Sequence, residues 1–332
     1  FTCIAVCNSI TWNKAKPIYV DIGDDLNIDP DDLEKKITKN SKAIIMQHTF
    51  GIPAEVEKIK TIAKKKGLVI IEDCAHALGA AYKNKPLGTF SKVSFFSFGR
   101  DKALSSVFGG MILTRDKLLY EKLKKLRDKL DHPSNFWIFQ QLMHPLLMSF
   151  VKPTYNLGFG KITLGKMLLF ISQKMKLLSF PVYEDEKKGI RPGIFPAKIP
   201  GALAILATNQ LKKLERFVGH RREIAKVYRD KLKSTGFRII KLKEGESLLR
   251  FPVLTPDAQN IHESMKSEGI LLGNWYNCPI VPCADESVTR YVNGSCKNTE
   301  DLSSQILNLP TYIGITKKDA EEISELVKKW AK

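Results

Sequence analysis

Residues 68–114 read LVIIEDCAHALGAAYKNKPLGTFSKVSFFSFGRDKALSSVFGGMILT, and the placing of the polar residues in this stretch decides the fold. An apolar run, Leu68-Val69-Ile70-Ile71, stops at two acids, Glu72 and Asp73. A second run, 93–98, ends at Gly99 and is followed by Arg100-Asp101-Lys102. A third, Met111-Ile112-Leu113, follows Gly109-Gly110. Three short apolar strands with polar residues at their ends predict an open α/β sheet, and ligands of such sheets bind in the crevice outside the C-terminal strand ends. An acid at one strand end and a lysine just past another suit a charged ligand.

Working outward, the preceding residues alternate strand and helix. Residues 18–22 read as a strand, and so does the opening run 1–6. Asp29-Pro30-Asp31-Asp32 is a helix start, with Asp as the cap, Pro in the first turn and acids at the positive end of the helix dipole. Residues 43–46 form the next strand, and 56–66 carry a helical stripe of Ile59, Ile62 and Ala63 that Gly67 terminates. Strand and helix alternating through short links predict a doubly wound, mostly parallel sheet.

Beyond Thr114, residues 116–130 read as a charged amphipathic helix, and then the character changes. Residues 134–180 hold no acid, are rich in Phe, Leu, Met and Ile, and are punctuated by Lys152, Lys161, Lys166, Lys174 and Lys176. No run reaches the roughly 18 apolar residues needed to span a bilayer. Two readings stay open: a helical hairpin packed on the protein or on a subunit partner, and an amphipathic segment on an anionic membrane surface. Pro192, Pro196 and Pro200 mark an irregular connection. Helical pattern follows over 201–232, strands over 237–240, 248–253 and 270–272, helices over 261–267 and 316–330, the last capped by Thr316 with Asp319 three residues on. The expected organisation is a large α/β unit over 1–130, an apolar and basic insertion with its connection over 131–200, and a smaller α+β unit over 201–332.

The chain has 332 residues, 43% hydrophobic and 27% charged, as a folded protein does. Its formal net charge of +18 is spread along the chain, mainly on lysine, which reads as a solvated surface with some attraction for anions. No zinc-finger spacing or RNA-binding aromatic motif is present, so nucleic acid is not an expected partner. Cys3, Cys7, Cys74, Cys278, Cys283 and Cys296 contain no C-x-x-C pair and are expected to be reduced thiols. With no signal-peptide pattern at the start, a cytoplasmic protein is expected, membrane contact through 134–180 aside.

The ordered motifs resemble one family. Ala15-Lys16-Pro17-Ile18-Tyr19-Val20-Asp21-Ile22, Ile71-Glu72-Asp73-Cys74-Ala75-His76-Ala77 and Phe96-Ser97-Phe98-Gly99-Arg100-Asp101-Lys102 come first. Gly109-Gly110-Met111, then Asn209-Gln210-Leu211-Lys212-Lys213-Leu214-Glu215 with Arg221-Arg222, and Leu307-Asn308-Leu309-Pro310 follow. Together they resemble the DegT/DnrJ/EryC1/StrS sugar aminotransferases, which use pyridoxal 5'-phosphate (PLP) on the fold type I scaffold. The resemblance implies that Lys102 bonds covalently to PLP and moves the proton, as a lysine amine can. Relatives that deoxygenate sugars carry histidine there, so lysine argues for amino transfer. The resemblance further implies that Asp73 pairs with the ring nitrogen, His76 lies by the ring hydroxyl and Ser97 holds the phosphate. The implied reaction takes an amine from an amino acid, glutamate, and gives it to a keto-sugar on a nucleotide, for surface polysaccharide or related glycan assembly.

Three departures from the family pattern stand out. Phe1 aligns after the family's N-terminal part, which carries a phosphate-binding loop, so the major unit is expected to be incomplete at its start. Cys3 sits where most relatives place an aromatic stacked on PLP. Pro196-Ala197-Lys198 aligns with a segment that reaches the cofactor phosphate of the neighbouring subunit, which implies a homodimer in which Lys198 supplies the charge. His48 and Trp275 are weaker candidates for the substrate pocket.

Overall fold

The computed structural model describes residues 1–155, 157–159, 162–233, 235–241 and 245–331; Lys161 lies outside the described residues. A four-stranded sheet runs in the order Ala43–Gln47, Val69–Asp73, Val93–Ser97, Gly110–Thr114. The first three strands are parallel, so their C-terminal ends share one edge, where Gln47 lies opposite Asp73 and Asp73 opposite Phe95. The fourth is antiparallel and sets Gly110 beside Ser97. Only glycine fits there, because a Cβ on residue 110 would lie 2.7 Å from the Phe96 carbonyl oxygen.

The helices follow their sequence signals. The Asp29 side chain accepts from the Asp31 N–H, and Pro30 opens the Pro30–Lys36 helix. In the Val56–Lys66 helix, Val56, Ile59, Ile62 and Ala63 are buried against the sheet cluster of Ile44 and Met46, and Gly67 closes the helix in the left-handed region. Thr316 and Asp319 form a reciprocal capping box at the start of the Lys317–Trp330 helix. A second, antiparallel sheet of Arg238–Ile239, Arg250–Leu254 and Ile306–Pro310 is covered by the Leu214–Leu232, Ala258–Ser267 and Lys317–Trp330 helices. One apolar cluster joins Ile22, Leu26, Phe50 and Ile52 to residues of this second sheet and its helices.

Several expectations are corrected. Residues 18–22 form no strand; the segment makes only an isolated bridge between Ile22 and Ile28. Alternation alone cannot make a strand without a neighbour for its backbone, and among the described residues none lies beside it. Asp21 instead accepts from the Asn298 and Thr299 amides and the Thr299 hydroxyl, which ties this segment to the Lys297–Ser303 helix. In the opening run only Thr2–Cys3 is a strand, paired with Ile280–Val281, and a helix begins at Ile4. Residues 270–272 are not a strand either; Gly273 bridges Asn308. Cys278 and Cys283 are disulfide-bonded, against the expectation of free thiols. The intervening turn brings their Cα atoms to 5.9 Å, inside the range a disulfide spans.

Residues 134–180 form a hairpin of the Asn135–Thr154 and Leu164–Lys174 helices, with Ser134 capping the first. Arg100 reaches beneath it, donating to Gln141 Oε1 at 3.4 Å and to Ser179 Oγ, while Ser179 donates to Gln141 at 2.7 Å.

Glu72 holds the sheet edge together. Its fully buried carboxylate accepts from the Gly88 and Phe90 amides and the Ser91 hydroxyl, and meets His48 Nε2 at 3.2 Å. Replacing Glu72 with Ala strands these donors in the interior. The unfolding free energy should fall by about 3–5 kcal/mol, read as a lower urea midpoint, with Glu72→Gln costing less because one carbonyl oxygen remains.

Candidate active site

Successive residues of a strand point to opposite faces. Glu72 therefore faces the structural loop, and Asp73 turns toward the crevice at the strand ends. Asp73 is 2% exposed, and its Oδ1 accepts from the Ala75 amide at 2.9 Å. Burial pushes its carboxyl above the ordinary range, against the pull of that amide and of the Lys102 charge. No lysine or arginine makes an ion pair with it among the described residues.

Lys102 enters the same crevice from the turn after the Val93–Ser97 strand, where its amide donates to the Gly99 carbonyl. Its side chain is 14% exposed, and Nζ lies 3.8 Å from Asp101 Oδ1. Nζ also stands 4.2 Å from the centre of the Trp275 ring. On that indole the His76 imidazole stacks at 4.6 Å with an 11° tilt. His76 Nδ1 accepts from the Phe50 amide at 3.3 Å, so a neutral ring carries its proton on Nε2. Burial, with the charges of Lys102 and Arg250, drives His76 well below its ordinary value. Phe50 presents that amide from a left-handed backbone, φ 56°, a costly conformation for a bulky residue.

Arg250 starts the strand of that name in the second sheet and lies 5.1 Å from the Trp275 ring centre. Its Nε is buried without a hydrogen-bond partner, and it forms no ion pair among the described residues. Arg250, Asp101 and Tyr276 were not singled out in the sequence. A lone arginine in the apolar run Leu248-Leu249-Arg250-Phe251 was the available signal. Buried Tyr276 packs its ring against Phe50 and Phe1. Burial raises the Cys3 thiol, which feels the charges of Lys102, Asp101 and Asp73.

The structure thus gathers Asp73, His76, Lys102 and Trp275 near one sheet edge, with the Trp275 indole stacked on His76 and facing the Lys102 amine. Ser97 borders that edge, half-buried, accepting from the Gly99 amide at 3.3 Å. His48 is elsewhere engaged: fully buried, with Nε2 on Glu72 and Nδ1 accepting from the Ala54 amide, it has no free nitrogen for a substrate. The Lys198 amide donates to the Asp131 carbonyl.

The donor set fits PLP. A buried carboxylate without an ion-paired lysine or arginine among the described residues suits a protonated pyridine nitrogen, a neutral imidazole N–H suits the ring hydroxyl, and a nearby lysine amine suits the reacting carbon.

A lysine past one strand end and a buried acid at another, on a mostly parallel sheet, define an α/β fold with a candidate cofactor site at the C-terminal strand edge. The chain belongs to the DegT/DnrJ/EryC1/StrS aminotransferase family, whose model matches residues 1–136 and 173–328. It is 43% identical over 122 residues to a GDP-perosamine synthase of Escherichia coli O157:H7, covering 36% of this chain and 34% of that protein. It is 43% identical over 129 residues to a pleiotropic regulatory protein of Geobacillus stearothermophilus, covering 38% and 35%. The aligned stretches span about a third of each of these relatives. Among solved structures, Helicobacter pylori PseC, an aminotransferase involved in pseudoaminic acid biosynthesis, superposes with a TM-score of 0.71 at 23% identity, over 98% of this chain and 76% of that one. That likeness shows the fold.

The depressed His76 links stability to pH. Below pH 6.5 the unfolded chain takes up a proton at this imidazole that the native state refuses, so its contribution is present above that pH and is lost as pH falls. The slope is about 1.4 kcal/mol per pH unit for each such imidazole. His144, lowered to about 4 by burial, adds to it. Urea unfolding at pH 7.5 and 5.5 should show the decline, and His76→Gln should reduce it.

Proposed function

We propose that the protein is a PLP-dependent aminotransferase that moves an amino group from an amino acid, glutamate, to a keto-sugar carried on a nucleotide, for surface polysaccharide or related glycan assembly. The observation that carries this reading is the buried Asp73 carboxylate, without an ion-paired lysine or arginine among the described residues, near the charge of Lys102. Family membership and the GDP-perosamine synthase relative support the reaction class and the substrate type.

Bound there, PLP supplies an electron sink that makes the donor's α-proton labile and accepts its amine. The residues divide the remaining work. Asp73 would keep the ring nitrogen protonated. His76 would donate from Nε2 to the ring hydroxyl. Ser97 would hold the phosphate, and Lys198 would add its charge to the phosphate of the partner subunit in a homodimer. Lys102 would hold the cofactor through its amine and carry the proton at the reacting carbon as general base and acid. Arg250, a guanidinium without an ion pair beside the same indole, anchors the donor's carboxylate. Trp275 forms the apolar wall that excludes water.

The second reading is a PLP-binding regulatory relative with impaired catalysis. The matching pleiotropic regulatory protein and the thiol of Cys3, in place of a stacking aromatic, favour it.

The test is absorption spectroscopy with a glutamate half-reaction. The protein should bind PLP with a near-visible band that glutamate bleaches. Lys102→Ala should lose the native band and cut amine transfer at least ~100-fold. Arg250→Met should keep the band and raise KM for glutamate by roughly tenfold to a hundredfold. A band that glutamate never bleaches supports the regulatory reading; no band at all sinks both.

A further inference from the structure

The hairpin of Asn135–Thr154 and Leu164–Lys174 turns large apolar side chains outward over an underside that is partly polar. A helix on a water-soluble protein buries its apolar stripe and exposes its polar face. Here the side turned to the protein buries Gln141, Ser172 and Ser179, with the Arg100 guanidinium bonded to Gln141 and Ser179, alongside the apolar Val151 and Leu178. The side turned outward is apolar. Phe139, Leu146 and Phe150 are exposed on the first helix, Phe150 by 68%. At 3.6 residues per turn they fall within about 40° of its circumference. Met167, Ile171 and Met175 are exposed on the second, within about 80°. The family model skips 137–172, so the shared scaffold does not account for this face.

The charges around the face select its occupant. No Asp or Glu occurs from His132 to Tyr183. Lys152, Lys166, Lys174 and Lys176 are exposed, and none has a carboxylate partner among the described residues. A two-fold contact of hairpin on hairpin would set these lysines against their own kind. An apolar face ringed by unpaired lysines fits a layer with hydrocarbon below and negative headgroups above. No helix among the described residues is long and apolar enough to cross a membrane, so the hairpin would lie in the interface.

We propose that the 135–174 hairpin seats the protein on an anionic lipid surface, with Phe150 and Met175 among the side chains that enter the acyl boundary. This does not rest on the reading of Lys102, and either can fail without the other. The full-length protein should co-sediment with phosphatidylcholine vesicles containing phosphatidylglycerol, weakly with phosphatidylcholine alone, and less at high salt. The double substitution Phe150→Glu with Met175→Glu should abolish sedimentation while leaving the thermal melt and oligomeric state unchanged. Because that variant places charge in a packed hairpin, Lys152→Gln, Lys166→Gln, Lys174→Gln and Lys176→Gln form a second arm. Each should weaken vesicle binding on the order of fivefold. Wild-type protein that stays in solution with every vesicle overturns the proposal. So does sedimentation indifferent to both sets of substitutions, and so does a glutamate variant that dissociates an oligomer when the wild type binds no lipid, which assigns the face to a second copy.

Discussion

Two adjacent carboxylates at the end of one strand, Glu72 and Asp73, set the terms for everything around them. The pleat turns them to opposite faces. Glu72 gathers the amides of Gly88 and Phe90, the hydroxyl of Ser91 and the ring of His48, so its charge is satisfied by the protein itself. Asp73 receives one amide and is otherwise left buried. A satisfied acid builds a scaffold; the less satisfied one, held in place by that scaffold, is the candidate partner for a cation under the proposed function. The same carboxyl chemistry serves both ends because the hydrogen-bond supply differs across one peptide unit.

The crevice beside Asp73 draws on distant chain segments. The sheet brings Asp73 and Lys102 together through its parallel register. The roof comes from residues near 275, with the Trp275 indole between the His76 imidazole and two cationic side chains. An indole tolerates such neighbours because its face attracts cations. The left-handed Phe50, held by the buried cluster that contains Tyr276 and Phe251, orients His76 from below. The strain at Phe50 and the missing partner of Arg250 Nε thus fall at one place, where backbone and polar groups deviate from what packing alone would choose.

Much of this was legible in the linear chain, and the gaps have physical causes. Asp73, His76, Ser97 and Lys102 lie at or just past strand ends within thirty residues of one another, so local pattern and family motif single them out together as candidates. The helix starts at Asp29 and Thr316 were readable because capping is a short-range contact. The strand expected over 18–22 was not borne out, because pairing depends on a neighbour that alternation cannot reveal. The Cys278–Cys283 bond depends on how a turn closes, and C-x-x-C spacing is no guide to it. Arg250 and Tyr276 reach the site only through the packing of the second sheet against the first. The hairpin was seen as apolar and basic, but which side faced outward needed coordinates.

Arg100 joins two parts of the chain. Its backbone belongs to the same short turn as Lys102, while its guanidinium is bonded to Gln141 and Ser179 inside the hairpin. The basic hairpin and the lysine turn therefore share a single side chain as strut. Neither can tilt relative to the other without breaking hydrogen bonds to a buried charge, so the position of the outer surface and the geometry of the crevice form one mechanical unit.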